Sequence, residues 1–369
     1  MRMNRRELLK AAGASAALTQ MASFATSAFA AKTVKVGFIY VGPRDDYGYN
    51  QAHFEGKQIL DKLDWIKAVD QEKVPETSDV QEAMESMIKL DNVDVLFPTS
   101  FGYFDPHILK IAKQFPDKTF LHCGGLYKDG VHPKNVGSYF GYIDEAQYVS
   151  GVVAGLTTKS NKLGFVAAKP IPQVLRNINS LTLGAKSVNS AITTQVIFTG
   201  DWALPVKEAE ATNSMISQGV DFITMHVDSP KVVVETCERK GVFVGGYHAN
   251  QSKLAPTKYL TGAEWNWGKV YTDYAKMIQD GGKIPNLVRG GLREGVVKVS
   301  PYGPAVSEAA RKAGDAAKAA LASGNFVIYK GPIKDNKGKT VIAAGKSYPQ
   351  TDIWLESMNW LVEGVIGQV

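Results

Sequence analysis

The sequence predicts an α/β protein of two doubly wound lobes joined by several crossings of the chain. Three observations predict it. From Val34 to Tyr247, strand-length apolar runs alternate with helix-length amphipathic ones. The chain has 369 residues, more than one hydrophobic core comfortably fills. After Tyr247 further strands and helices follow, but not as a third copy of the pattern, so the tail is expected to add to sheets already formed.

Taken in order, "VKVGFIYV" (34–41) reads as a buried strand, followed by a helix from Asn50 to about Lys62. "IKAVDQEKV" leads to Ser78, an N-cap candidate with Gln81 three residues on, which opens the helix "DVQEAMESMIKL". "VDVLFPTS" (93–100), a helix around Pro106 to Gln114, "TFLHCGG" (119–125) and "VGSYFGYI" (136–143) complete a first set. A helix from Glu145 to Leu156 begins the second. It continues with "KLGFVAA", a helix 172–189, "TQVIFTG", a helix 205–218, "VDFITMHV", a helix 230–240 and "VFVGGY". In the tail, "KYLTGAEW" reads as a strand and "NWGKVYTDYAKMIQDG" as a helix. "LREGVVKVSPYG", a helix 304–323 and a hairpin turning at Asp335 to Gly338 read as additions. The expected division is residues 31–144 with about 250–284 in one Rossmann-like lobe, and 145–249 with about 285–369 in the other. A hinge crossed several times between two open sheets leaves a cleft at the carboxyl ends of their strands.

The first thirty residues are read separately. "MRMNRRELLKAAGASAALTQMASFATSAFA" has a basic start, an alanine-rich middle and an Ala-x-Ala end, the pattern of an export signal cleaved after Ala30. Arg5 and Arg6 ahead of Leu8 and Leu9 give it a twin-arginine character. This segment holds four cations against Glu7, a net +3, leaving +3 of the chain's +6 for the rest. So mild an excess, without a Lys/Arg run, argues against nucleic acid as a partner. Cys123 and Cys237 are the only cysteines; an oxidising compartment would permit a disulfide, while lone thiols in separate elements read as small buried hydrophobes.

Candidate chemistry gathers at the strand ends. "GPRDDYGYNQ" follows the first strand and carries Asp46, Tyr49 and Asn50, with the alternative that Asp46 only caps the next helix. "PTSFGYFDP" brings Phe101 and Tyr103, "TGDWALP" Trp202, "MHVDSP" Asp228, "GGYHANQ" His248 and "GAEWNWG" Trp265. Aromatics facing each other across a cleft suit a flat, π-rich guest, at about 0.5–1.5 kcal/mol per stacked pair beyond area burial. Asn50 offers a donor and an acceptor to a ring edge, Asp46 and Asp228 accept, and His248 does either. No G-x-S-x-G, H-E-x-x-H, C-x-x-C or phosphate-loop motif occurs at a strand-to-helix turn. His122, His226 and His248 are therefore read as hydrogen-bonding residues, with neither metal nor cofactor expected. A competing expectation is an exported hydrolase of nucleosides or sugars that uses Asp46 and Asp228 as acid and base.

Several stretches in order, "DYGYNQAHFEGK", "DEAQYVSGVVAGL", "PIPQVLRNINSLTLGAKSVN", "VGGYHANQSKLAP" and "DIWLESMNWLVEGVIG", resemble the basic membrane protein family. These are purine-type substrate-binding components of ABC transporters, built on the type I periplasmic binding fold. The resemblance covers residues 33–369 and implies a monomeric, non-enzymatic periplasmic receptor that hands a small molecule to a permease in the inner membrane. In nucleoside-binding members an aromatic of an S-F-N-Q segment stacks on the purine, and "GYNQ" puts Tyr49 and Asn50 there; Trp202 in "GDW" matches the second wall. The Asp and Lys that grip ribose in those members are replaced by His248 in "GYH" and Trp265 in "LTGAEWN". Losing two charge-assisted hydrogen bonds, about 1.5–3 kcal/mol each, points to a free purine base or similar heterocycle, with a purine nucleoside as the alternative. Of Trp265 and Trp267, two apart, only one is expected to reach the cleft, the competing reading being one ring in the core and one on the surface. Arg176 and Asn179 either face the cleft or tie the hinge.

Overall fold

The computed structural model describes residues 33–369; the export signal expected over 1–30 lies outside them. Along the chain come β1 (Val34–Ile39), α1 (Tyr49–Leu60), β2 (Ile66–Gln71), α2 (Asp79–Lys89), β3 (Val95–Pro98), α3 (Leu109–Gln114), β4 (Thr119–Cys123) and β5 (Val136–Gly141). Then follow α4 (Asp144–Thr157), β6 (Lys162–Ala167), α5 (Pro172–Val188), β7 (Thr193–Phe198), α6 (Pro205–Ser217), β8 (Phe222–His226), α7 (Lys231–Lys240) and β9 (Phe243–His248). The tail holds β10 (Tyr259–Trp265), α8 (Trp267–Gln279), β11 (Leu287–Gly290), β12 (Val297–Val299) and α9 (Glu308–Ala322). It ends in short strands β13 (Tyr329–Lys330), β14 (Ile333–Lys334), β15 (Thr340–Ile342), β16 (Ser347–Tyr348) and β17 (Val365–Ile366).

Two large sheets result, in strand order β11-β5-β4-β3-β1-β2 and β12-β10-β9-β8-β6-β7-β17, with two small antiparallel pairs, β13-β16 and β14-β15. Within the large sheets every pair is parallel except β10 with β12, so this is the two-lobed α/β architecture expected. Near-continuous apolar strands such as VLFP and FITMH are buried throughout, as sheets covered on both faces require.

The tail divides differently from the expected boundaries. β10 pairs with β9 and so belongs to the second sheet, whereas β11 extends the first beside β5. α8 returns to the first lobe: Trp267 lies under His53 of α1, rings 5.2 Å apart and 2° from parallel, and the Tyr271 hydroxyl bonds His53 Nδ1. The chain therefore crosses between lobes at 141–144, 265–267 and 290–297. A strand's own pattern does not say which sheet it joins; only the crossing positions do. The helix expected around Pro106 to Gln114 forms, its backbone helical from Pro106 on, with the break falling at Asp105, which is extended ahead of the proline (φ −122°, ψ 122°). One local expectation shifts. Ser78 is itself helical and forms no cap, and Gln81 Nε2 bonds His107 Nδ1 at 2.7 Å instead.

The hinge is held by buried polar groups. Arg176 Nη2 reaches both oxygens of Asp144 at 3.1 Å, and Glu145 accepts from the Leu292 amide at 2.7 Å, joining the first crossing to the third. Burial, with Asp144 and Glu294 nearby, pushes the Glu145 carboxyl up to about 8 against the opposing Leu292 N–H and Arg176. α4 and α5, which carry these groups, touch through glycines. A Cβ on Gly151 would sit 2.1 Å from the Leu181 carbonyl oxygen, and one on Gly184 2.1 Å from that of Tyr148.

Two predictions follow from this packing. Gly184→Ala must separate the two helices and is expected to cost about 1–3 kcal/mol in urea unfolding; wild-type stability would refute the close approach. For Glu145, the folded chain keeps a proton that the unfolded chain releases from about 4.5 upward. Folding stability should fall as pH rises from about 4.5 toward 8, and Glu145→Gln should flatten that fall. An identical pH slope in the variant would contradict it.

Candidate functional site

Between the lobes lies a crevice lined by side chains of both. The first lobe contributes Tyr49, Ser100, Phe101, Cys123 and Phe140, from the ends of β1, β3, β4 and β5. The second contributes Gln173, Trp202, His226, Asp228, His248 and Trp265, from the ends of β6 to β10. Parallel strands leave their carboxyl ends on one side, so side chains distant in sequence converge there.

The loop before α1 is organised by Asp46. Its Oδ1 accepts from the Gly48 and Gln51 amides at 2.8 and 2.9 Å. Its Oδ2 accepts from the Asn50 amide at 2.9 Å and from Asn50 Nδ2 at 2.7 Å. Asn50 Oδ1 in turn accepts from the Gly42 amide at 3.2 Å. Asp46 and Asn50, expected to read a ring edge, are thus both engaged in building the loop, and neither lines the crevice. Orphan amides at a helix start attract a carboxylate, and Asp46 meets that demand. The same engagement leaves Asp46 ill suited as the acid of a hydrolase. Tyr103 also lies elsewhere: it is buried beside β3 with its hydroxyl on the Val74 carbonyl, while the neighbouring Phe101 reaches the crevice mouth, 50% exposed.

What that loop presents is Tyr49. Its hydroxyl donates to the Thr99 carbonyl at 2.6 Å, and its ring stands edge-on to His53 (4.5 Å) and His248 (5.3 Å). The Tyr49 amide donates to the Asp228 carbonyl at 2.9 Å, and Gln251 Nε2 to the Tyr47 carbonyl at 2.6 Å, so backbone of one lobe is bonded to the other. Gly48 makes this approach possible, since a Cβ there would lie 2.0 Å from the Asp228 oxygen. Trp202, on the second lobe, carries Lys169 Nζ 5.2 Å from its ring centroid, and Lys169 is paired with Asp201 at 2.7 Å.

The polar groups are neutral or acidic. Burial, with His226 and His53 near, holds the His248 imidazole well below its usual range. His248 Nδ1 accepts from Trp265 Nε1 at 2.8 Å, so Nε2 carries the hydrogen; apart from a weak influence of the Val227 carbonyl it has no partner. His226, pushed down to about 3 by burial, accepts at Nδ1 from Asn177 Nδ2 at 2.8 Å. His122, lowered to about 4 by burial, bonds the Ser100 carbonyl and the Gly125 amide. Each imidazole thus serves hydrogen bonding. Burial raises the Asp228 carboxyl well above the ordinary range, with the Asp46 charge second. None of the residues lining the crevice is Lys or Arg.

Trp265 and Trp267 do not alternate between inside and outside. Both are buried and stack on each other at 4.5 Å and 17°, because Asn266 separates the end of β10 from the start of α8. Only Trp265 lines the crevice. Arg176 ties the hinge, and Asn179 anchors the tail through the Trp360 carbonyl and Val362 amide. Gln173, Phe140 and His226 were not among the residues expected to line the site. The sequence reads His226 only as a hydrogen-bonding histidine, and Phe140 and Gln173 offer no signal beyond position, Gln173 directly after the helix-opening Pro172.

A family profile described as "ABC transporter substrate-binding protein PnrA-like" matches residues 33–337. A purine-binding protein of Brucella abortus is 35% identical over 341 residues, 92% of this chain and 95% of that protein. A provisionally named ABC transporter glucose-binding protein of Haloferax volcanii is 31% identical over 339 residues, 92% and 82% of the two chains. Among solved structures, an ABC transporter solute-binding protein from Conexibacter woesei shares the fold with a TM-score of 0.67 at 22% identity, covering 80% of this chain and 98% of that one. The chain therefore belongs to the PnrA-like family of ABC transporter substrate-binding proteins, which bind a solute and are not enzymes.

Proposed function

We propose that this protein is the exported receptor of an ABC importer and closes its two lobes on a purine base or a similar flat heterocycle. The observation that carries the reading is a crevice with Tyr49 on one lobe and Trp202 on the other, and with no cationic side chain lining it. A ring between two aromatic faces gains from stacking on both. At its edge the raised Asp228 carboxyl is an acceptor, or when protonated a donor, and His248 Nε2 a donor. Trp265, stacked on Trp267 and bonded to His248, stands at the sequence position where the resemblance sets a ribose-binding lysine. The purine-binding relative in Brucella supports the same ligand class. The export signal expected over residues 1–30 supports delivery to a permease across the periplasm, with the receptor acting as a monomer. Binding stabilises the closed state because a guest touches both walls only when they meet. The glucose-binding relative makes sugars the comparison class, since a pyranose also stacks on tryptophan.

Isothermal titration with adenine, guanine, hypoxanthine, their nucleosides and glucose is expected to give the tightest binding to a base. Tighter binding of nucleosides or of glucose would refute the assignment. Tyr49→Ala and Trp202→Ala should each weaken the base about tenfold or more. Gly48→Ala sets a methyl against the Asp228 carbonyl and should lower affinity more than tenfold with an unfolding temperature near wild type; undiminished affinity would mean that binding does not require this closure.

A further inference from the structure

Beside the crevice is a second compartment, about 380 Å³ of atom-free space bounded by Tyr142, Asp144, Gln173, Arg176, Asn177 and Glu356. Phe140, Gln173 and His226 line both this compartment and the crevice, so the two are neighbours. Its charges are already matched: Arg176 with Asp144 at 3.1 Å, and Glu356 with Arg289 at 3.5 Å. What remains is neutral hydrogen-bonding capacity. Asn177, 1% exposed, donates Nδ2 to His226 Nδ1 at 2.8 Å and to the Tyr247 hydroxyl at 2.7 Å, and its Oδ1 has no partner. Turning the amide over would leave its NH₂ unpartnered instead, so one polar atom is unmet in either orientation. Arg176 Nε is likewise buried without a partner, and the half-buried Gln173, on the wall of both spaces, forms no side-chain hydrogen bond among the described residues. A buried polar atom left unpaired is unfavourable, and Asn177 and Arg176, each with one such atom, both bound this space. The centre of a water-sized group can range over about 20 Å³ there, enough to hold one such group.

We propose that this compartment receives a single small, uncharged, hydrogen-bonding substituent of the bound ring, an oxo, amino or hydroxyl group. The aromatic walls then set affinity for the ring, and Gln173 and Asn177 set preference among rings. This rests on the reading that the crevice takes a flat heterocycle, and the experiment separates the two.

Titrate the full-length mature protein with unsubstituted purine, 6-methylpurine, adenine, hypoxanthine and 2-aminopurine, then repeat with Gln173→Leu and Asn177→Leu. Unfolding temperatures should be measured in parallel, because Asn177 also holds His226. Wild type is expected to favour at least one polar-substituted ring over purine and 6-methylpurine by about tenfold. Gln173→Leu, which breaks no hydrogen bond in the structure, should remove most of that preference, weakening the favoured polar-substituted ring more than purine itself. A variant that weakens all five rings equally, or none, would overturn the compartment's role but leave the crevice reading intact. No binding of any ring by wild type would overturn both.

Discussion

The binding cavity depends on one contact, the approach of the Gly48–Tyr49 backbone to the Asp228 carbonyl. It joins the lobes by a main-chain hydrogen bond of 2.9 Å and brings the Tyr49 and Trp202 walls to the same crevice. The approach leaves no room for a side chain at position 48. Asp46 supports it from behind by gathering three amides of the loop and the start of α1 on one carboxylate. The loop before α1 therefore divides its work: Asp46 and Asn50 shape it, Gly48 lets it approach the other lobe, and Tyr49 lines the crevice.

Desolvation sets the electrostatics of the cavity. Burial holds His122, His226 and His248 neutral and raises the Asp228 carboxyl. Held neutral, the imidazoles serve hydrogen bonds within the protein, from Trp265 to His248, from Asn177 to His226, and with the Ser100 carbonyl and the Gly125 amide at His122. The paired ions, Arg176 with Asp144 and Arg289 with Glu356, lie toward the hinge. There they hold crossings and helices together, and the space they border stays close to neutral.

Three crossings make the hinge, and their placement couples it to the cavity. β10 ends at Trp265, which lines the crevice, and two residues later Trp267 is stacked in the first lobe against His53. Arg176 and Asn177 sit next to each other on α5, the first tied to the hinge carboxylate of Asp144 and the second to His226 and Tyr247. Closing the lobes and shaping the cavity thus draw on neighbouring residues of the same helices.

Much of this was determined by sequence alone. Alternating strand and helix patterns specify parallel sheets, and residues after each strand must collect at the carboxyl edge, so Tyr49, Phe101, Trp202, Asp228, His248 and Trp265 were identifiable as a group. Tertiary structure decided which polar side chains remain available. Asp46 and Asn50 have the composition of ligand contacts but are consumed by backbone amides, because hydrogen-bond partners depend on local geometry that residue type does not carry. Tyr103 shares a strand end with Phe101 yet turns to Val74, and Gln173 and Phe140 carried no chemical signal to set them apart. The sheet that β10 joins was equally unreadable, since a buried strand looks the same in either lobe and only the path of the chain assigns it.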